Sequence, residues 1–157
     1  MLLTLPITSV ILMPTAMRDA RKTTVYDCTI VQLPVVHNEA GNITALNNAQ
    51  EIPFDVKRVY YLYDVPGGES RGGHGHKALH QLILAGSGSF DITVDDGRIR
   101  RTFQLNRPDY GLYLPPGLWR ELDNFSSGSI CLVVASAFYS TEDYIRNYQS
   151  FIEYKKG

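Results

Sequence analysis

Two histidines separated by one residue, His74 and His76, are the side chains whose type and spacing best suit catalysis. Alternate residues of a β-strand point to the same face, so both imidazoles would enter one cavity. Arg71 and Lys77 add a cation on each side, and glycines before and between the histidines let the backbone approach a ligand closely. We therefore predict that residues 68–77 form the wall of an active site in a small β-barrel.

Short strand-like segments separated by turns predict one all-β domain. The predicted strands around the histidine segment cover residues 26–33, 43–46, 57–64, 79–85, 90–94, 98–105, 111–114, 119–122 and 130–137. Within residues 57–64, alternation places Arg58 and Tyr60 on one face. An inward-facing Arg needs an anion, which favours this face as the pocket side. The alternative is a ladder of side chains on the surface.

A helix is predicted only at the C-terminus. Thr141 is a good N-cap, and Glu142 and Asp143 would complement the helix dipole in the first turn. Apolar residues then recur at helical spacing at positions 145, 148 and 152. We expect this helix to pack on the outside of the barrel.

The first residues predict an N-terminal extension, residues 1–24, before a folded domain of residues 25–157. Met1–Met13 is apolar, but it lacks a basic start and is interrupted by Pro6. These features argue against a signal peptide and a membrane span. An alternative is an arm that adds a strand to a partner subunit.

Charge and cysteine content bear on the partners and the cellular compartment that we expect for the protein. The formal net charge of −1 gives no indication of binding to nucleic acids or membrane surfaces. Cys28 and Cys131 lie in apolar segments and are typical of buried free thiols in a reducing compartment. The sequence alone does not exclude a disulfide between them.

Two segments, residues 68–88 and 115–124, resemble the two sequence signatures of the cupin superfamily, which implies a jelly-roll β-barrel. Metal-binding cupins supply two His and a Glu from the first signature and a His from the second. Here Gln81 stands in the position of the Glu, and Arg120 stands in the position of the second-signature His. A guanidinium cannot coordinate a metal ion and would repel a cation. We therefore predict that the protein uses no metal or other cofactor.

A metal-free cavity with two imidazoles suits proton transfer next to a carbonyl group. A neutral imidazole has an unperturbed pKa of about 6.5. A positioned base of this kind contributes roughly 10²–10⁴ in rate. The resulting enediolate needs hydrogen-bond donors, and Arg and Lys side chains suit a diphosphate. This combination outlines a sugar-nucleotide isomerase or epimerase.

The ordered set of motifs is more specific than the histidine pair. It comprises Lys57–Tyr61, Arg71–Lys77, Gly111–Pro116, Trp119–Glu121 and Asp143–Tyr148. Together these motifs resemble the dTDP-sugar 3,4-ketoisomerases, the WxcM-like cupins. The resemblance implies metal-free isomerisation of dTDP-4-keto-6-deoxyglucose to a 3-keto-6-deoxyhexose, which an aminotransferase then converts to a 3-amino-3,6-dideoxy sugar. It also implies cytoplasmic homodimers that exchange N-terminal strands.

Our hypothesis is that His74 takes the C3 proton, which is then delivered to C4, and that His76 orients or stabilises the intermediate. Tyr60 is the third predicted catalytic residue. The predicted substrate-binding residues are Arg58, Arg71, Lys77, Gln81, Arg120 and Trp119. Arg71 and Lys77 could instead be solvated loop charges, and Trp119 is either a core residue or a platform for the thymine base.

Arg120 also bears on the stereochemistry at C4. In the family resembled here, a His at this position commonly accompanies a galacto-configured product, and Arg is a poor proton donor. We therefore expect a gluco-configured product. Ala40 departs from the larger polar residue that often occupies this turn in the family, which leaves part of the pocket undefined.

Three alternatives remain open from the sequence. A non-catalytic sugar-nucleotide-binding cupin would not need two inward imidazoles. A metal-dependent cupin enzyme is disfavoured by Gln81 and Arg120. A dTDP-sugar 3,5-epimerase would pair its His with an Asp, and the sequence places no Asp beside His74.

Overall fold

The computed structural model describes residues 18–157, which form two five-stranded antiparallel sheets, a two-stranded hairpin and a C-terminal helix. The elements are β1 (Thr29–Gln32), β2 (Val36–Asn38), β3 (Gly41–Ile43), β4 (Arg58–Leu62), β5 (Arg71–His76), β6 (Gln81–Ser87), β7 (Phe90–Asp95), β8 (Arg100–Leu105), β9 (Tyr110–Leu114), β10 (Trp119–Asp123), β11 (Ile130–Ala135), β12 (Tyr144–Ile145) and α1 (Tyr148–Lys156). The strand orders are β1-β9-β6-β11-β4 and β12-β5-β10-β7-β8, with β2 and β3 as the hairpin. The predicted all-β cupin barrel with one C-terminal helix is confirmed.

The inner faces of the two sheets share one hydrophobic core. In β7, Phe90, Ile92 and Val94 are fully buried while the residues between them are partly exposed. They belong to the same cluster as Ile83 and Leu112 from the other sheet. Burying each such side chain stabilises the fold by about 1.5–3 kcal/mol. This packing holds the two sheets together around the cavity described below.

Strand β4 has the predicted alternation. Arg58, Tyr60 and Leu62 are partly buried, whereas the residues between them are exposed. Tyr60 and Leu62 pack against the main core. The face that carries Arg58 and Tyr60 therefore points into the barrel.

The C-terminal helix begins later than predicted. Thr141–Asp143 forms a 3₁₀ turn, Tyr144–Ile145 pairs with β5, and Asn147 caps a helix that starts only at Tyr148. The prediction was wrong because the backbone of residues 144–145 completes the open edge of β5, an interaction between distant segments. Phe151 of the true helix is fully buried against Trp119.

The first two strands also differ from the prediction. The first strand begins at Thr29 because Val25–Asp27 forms a 3₁₀ turn. The predicted strand over residues 43–46 is replaced by the hairpin β2–β3. Lys155 of α1 donates from Nζ to the carbonyl oxygen of Thr23, so the end of the predicted extension packs on the domain. The predicted exchange of an N-terminal strand concerns a part of the chain that includes residues 1–17, which lie outside the described residues.

Cys28 and Cys131 are buried free thiols, as predicted. Burial raises the pKa of both thiols to about 12. None of the helices formed by residues 18–157 is both long and apolar enough to span a lipid bilayer.

Candidate active site

A cavity of about 450 Å³ lies between the two sheets. Strands from both sheets supply its walls, including β4, β5, β10 and β12. The polar and charged lining residues are Tyr60, Ser70, Arg71, His74, Arg120, Tyr144 and Arg146. The sequence-predicted His74, Tyr60, Arg71 and Arg120 are therefore brought together.

The two imidazoles lie side by side on the inner face of β5. Their ring centroids are 4.9 Å apart and the rings are nearly perpendicular. Tyr144 of β12 contacts both, with centroid distances of 4.8 Å to His74 and 4.3 Å to His76. Arg120 of β10 stands opposite His74 in the strand register. The spacing of the histidines thus produces the shared face that the sequence predicts.

Buried polar atoms without a hydrogen-bond partner are concentrated among the predicted site residues. Of six such side-chain atoms among residues 18–157, five belong to predicted site residues: Nε of Arg58, Nε2 of His74, Nε2 of His76, Oε1 of Gln81 and Nε of Arg120. An unsatisfied buried polar group costs about 1–3 kcal/mol. Such a concentration indicates a surface prepared for a polar ligand.

Both imidazoles are held in their neutral form. Burial, followed by the positive charge of Arg120 and smaller effects of His76 and Arg146, lowers the pKa of His74 to about 2. Burial also lowers the pKa of His76 to about 4, against the opposing effect of a hydrogen bond to Asp143. A histidine with a lowered pKa stays neutral as the pH falls below 6.5, so each ring keeps one nitrogen with a free lone pair near neutral pH.

Polar contacts link Gln81 and Arg58 to Tyr60, which lines the cavity. Gln81 Nε2 donates to the hydroxyl of Tyr60 at 2.8 Å. The guanidinium of Arg58 lies 5.0 Å from the Tyr60 ring centroid, a cation–π contact. Arg58 also lines a second cavity of about 230 Å³ with His76 and Asp143. Burial raises the pKa of the Tyr60 hydroxyl, which keeps it protonated as a hydrogen-bond donor.

Four of the six predicted substrate-binding residues do not line the 450 Å³ cavity: Arg58, Gln81, Lys77 and Trp119. Lys77 follows the end of β5 and donates from Nζ to the carbonyl oxygen of Glu142 at 3.0 Å. Trp119 neighbours Arg120 in β10, and consecutive strand residues point to opposite faces. Its indole is buried against Ile145 and Phe151, so Trp119 is a core residue, the first of its two predicted alternatives.

Three residues of the site were missed by sequence reasoning: Asp143, Tyr144 and Arg146. The segment after Thr141 was predicted to be a helix. The alternation of an extended segment, which places Tyr144 and Arg146 at the cavity, was therefore not considered. Asp143 Oδ2 accepts a hydrogen bond from His76 Nδ1 at 2.7 Å. An Asp therefore does partner an imidazole of this site, but the imidazole is that of His76 rather than His74.

The metal ligands expected of a metal-binding cupin are not assembled here. Within residues 18–157, no three His, Cys, Asp or Glu side chains lie close enough together to hold a metal ion. His80 turns to the other side of the sheet, where its Nδ1 lies 2.8 Å from the hydroxyl of Tyr113.

Comparison with known proteins agrees with this geometry. Residues 26–156 match the family described as WxcM-like, C-terminal (FdtA). The TDP-4-oxo-6-deoxy-alpha-D-glucose-3,4-oxoisomerase of Aneurinibacillus thermoaerophilus is 38% identical over 125 residues, which cover 80% of this chain and 90% of that protein.

Solved structures of ketoisomerases superimpose closely on the barrel. WlaRB, a TDP-quinovose 3,4-ketoisomerase from Campylobacter jejuni, is 44% identical with a TM-score of 0.78, covering 82% of this chain and 99% of that one. A variant of the 3,4-ketoisomerase QdtA from Thermoanaerobacterium thermosaccharolyticum, in complex with TDP-4-keto-6-deoxyglucose, is 36% identical with a TM-score of 0.82. The match covers 85% of this chain and 96% of that one. The chain therefore belongs to the dTDP-sugar 3,4-ketoisomerase family of WxcM-like cupins and is an isomerase.

Proposed function

We propose that this enzyme converts dTDP-4-keto-6-deoxyglucose to a dTDP-3-keto-6-deoxyhexose by proton transfer between imidazole and sugar. The observation that carries the proposal is the pair of neutral imidazoles at 4.9 Å beside buried, unsatisfied arginine nitrogens. The relatives named above, one of which binds TDP-4-keto-6-deoxyglucose, support the choice of substrate.

The reaction moves two protons. The C3–H bond breaks and a C4–H bond forms, while the hydroxyl proton on the C3 oxygen is lost and the C4 oxygen gains one. Through the enediolate, a 4-keto-3-hydroxy sugar becomes a 3-keto-4-hydroxy sugar with no change in composition. We assign the carbon-bound proton to His74, which lines the main cavity, and place His76 where it stabilises the oxygens of the intermediate.

Cations around His74 give the diphosphate of the substrate a binding surface. Arg71, Arg120 and Arg146 line the cavity. Arginine grips phosphate oxygens through two donors at once. The charges of Arg120 and Arg146 lower the pKa of His74, so a bound dianion would offset them and raise the basicity of that imidazole.

The direct test is incubation of the purified protein with dTDP-4-keto-6-deoxyglucose and NMR analysis of the product. We expect a 3-keto sugar with gluco configuration at C4, because Arg120 is a poor proton donor to the opposite sugar face. Activity should be unchanged after prolonged treatment with EDTA. Exchange at both C3 and C5 with the C4 ketone retained would indicate a 3,5-epimerase, and tight dTDP binding without exchange would indicate a non-catalytic module.

We also propose a homodimer with exchanged N-terminal strands. An exposed apolar surface on the edge strand β4 and the residue after it supports association, since Val59, Tyr61 and Tyr63 are 55%, 58% and 62% exposed. Sedimentation should give a dimer for the wild type and for the control Ile99→Asp, and a monomer for Tyr61→Asp. A monomeric wild type would contradict this proposal.

In the cell, we propose that the enzyme acts in the cytoplasm and supplies a 3-keto sugar nucleotide to an aminotransferase that makes 3-amino-3,6-dideoxy sugars. The chemistry suits such a partner, because the new ketone is the group that an amine would replace. A coupled assay with an aminotransferase of this class should consume the product, and failure to do so would exclude this placement.

A further inference from the structure

We propose that Asp143 is a positioning residue of this active site, which fixes the tautomer of His76 so that an unprotonated Nε2 faces the reacting sugar. The proposal rests on the proposed function for its activity readout. It concerns a residue that does not line the main cavity and that acts through His76.

The contacts of Asp143 fix both the carboxylate and the imidazole. Oδ2 lies 2.7 Å from His76 Nδ1, and Oδ1 accepts the backbone N–H of Ala78 at 2.7 Å. The backbone carbonyl of Asp143 accepts the N–H of Lys77 at 3.0 Å. Three hydrogen bonds thus tie Asp143 to the three consecutive residues 76–78. The carboxylate therefore has little freedom to turn away from the ring.

This arrangement decides which nitrogen of His76 carries the proton. An ionised carboxylate can only accept hydrogen bonds, so Nδ1 must be the donor. The bond to His76 and two backbone N–H groups lower the pKa of Asp143 against the effect of burial, which favours its ionised form. In neutral His76, Nε2 then holds the lone pair.

Nε2 of His76 is the atom left available for chemistry. It is buried and has no hydrogen-bond partner, and the residue is only 2% exposed. Tyr144 packs on the ring at 4.3 Å and restricts its rotation. When Nε2 accepts a proton from a sugar oxygen, the imidazolium lies beside the negative charge of Asp143. The proton then returns to the other oxygen, so the pair ends in its starting state.

A merely structural role for Asp143 is the competing explanation, because its Oδ1 also anchors Ala78. Asp143→Asn separates the two roles. The Asn oxygen can keep the bond to Ala78, while its amide group now donates toward Nδ1 of His76. The donation makes Nδ1 an acceptor and moves the ring proton to Nε2. The substitution therefore reverses the tautomer without removing the anchor.

The experiment compares wild type, Asp143→Asn and the neighbouring control Glu142→Gln with ¹⁵N-histidine labelling. NMR of the substrate-free protein reports the tautomer, and kinetics report the activity. We expect the Nδ1–H form of His76 in wild type and control and the Nε2–H form in Asp143→Asn. We expect kcat to fall by about 10²–10⁴-fold with a smaller change in KM, since reversing a catalytic tautomer elsewhere costs about 10⁴.

An NMR titration of His76 gives a second measurement, its pKa, which a purely anchoring role of Asp143 would leave unchanged. The hydrogen bond from His76 to Asp143 raises the pKa of His76, so Asp143→Asn should lower it below the wild-type value of about 4. Loss of activity with an unchanged tautomer would overturn the proposal, as would a reversed tautomer with full activity.

If Asp143→Asn fails to fold, the tautomer of His76 in the wild-type protein still tests the proposal. An Nε2–H tautomer of His76 in the wild type would contradict it. A wild type that shows the Nδ1–H tautomer but does not isomerise the substrate would contradict the proposed function alone. The two failures are therefore distinguishable.

Discussion

Replacement of His74 by Asn is expected to lower kcat by roughly 10²–10⁴-fold, the contribution of a positioned general base. The substitution should also abolish exchange of the C3 proton with D₂O. Nε2 of His74 is buried without a partner, and the lowered pKa of His74 keeps the imidazole neutral. Asn has no group that can accept a proton from carbon near neutral pH. The measurement is ¹H NMR of the substrate in D₂O together with single-turnover kinetics.

His80→Asn is the matched control for this experiment. His80 is also partly buried, but its Nδ1 faces the hydroxyl of Tyr113 at 2.8 Å, away from the cavity. The control should retain nearly full activity and C3 exchange. Exchange at the wild-type rate in His74→Asn would refute the assignment. If exchange is lost only in His76→Asn, the roles of the two histidines are reversed.

Most of the fold can be predicted from local sequence patterns that the structure also shows. The apolar alternation of β7 and the Asp-Gly turn after it determine a hairpin whichever strands lie beside it. The same parity argument places His74 and His76 on one face, and Arg58 and Tyr60 on another. These residues converge because the two sheets of the barrel turn their inner faces toward each other.

Parity alone does not say which face of a strand is the inner one. Trp119 and Arg120 are consecutive strand residues, so one side chain must face the cavity and the other must point to the opposite face of the sheet. Trp119 packs against Phe151, outside the cavity. The sequence around residue 119 contains no local pattern that predicts this contact. Lys77 lies outside the cavity for another reason, because β5 ends at His76 and the alternation of its side chains ends there.

The residues that sequence reasoning missed depend on contacts between distant segments. Asp143 lies 67 positions from His76 along the chain, and a strand of two residues leaves almost no periodic signal. Local propensity favoured a helix start at Thr141, and pairing with β5 overrode it. Functional sites are where such conflicts between local preference and tertiary structure are expected.

Replacing Arg120 by Met is expected to stabilise the fold and weaken substrate binding at the same time. Arg120 is 3% exposed, its Nε has no partner, and burial lowers the pKa of its guanidinium. Replacement of buried charges by apolar side chains of similar volume often stabilises proteins by about 1–4 kcal/mol. Loss of a hydrogen bond to a charged ligand costs about 1.5–3 kcal/mol, or roughly 10–150-fold in affinity.

Urea unfolding and calorimetric titration with dTDP measure the two effects of Arg120→Met separately. Arg107→Met is the control, because its side chain is 62% exposed and lies outside the cavity. It should change neither stability nor affinity appreciably. Arg120 also interacts with the hydroxyl of Tyr60, so a purely structural role predicts the opposite result: lower stability and unchanged binding. Opposite signs for stability and binding would mean that the fold keeps a buried cation at an energetic cost because the substrate needs it.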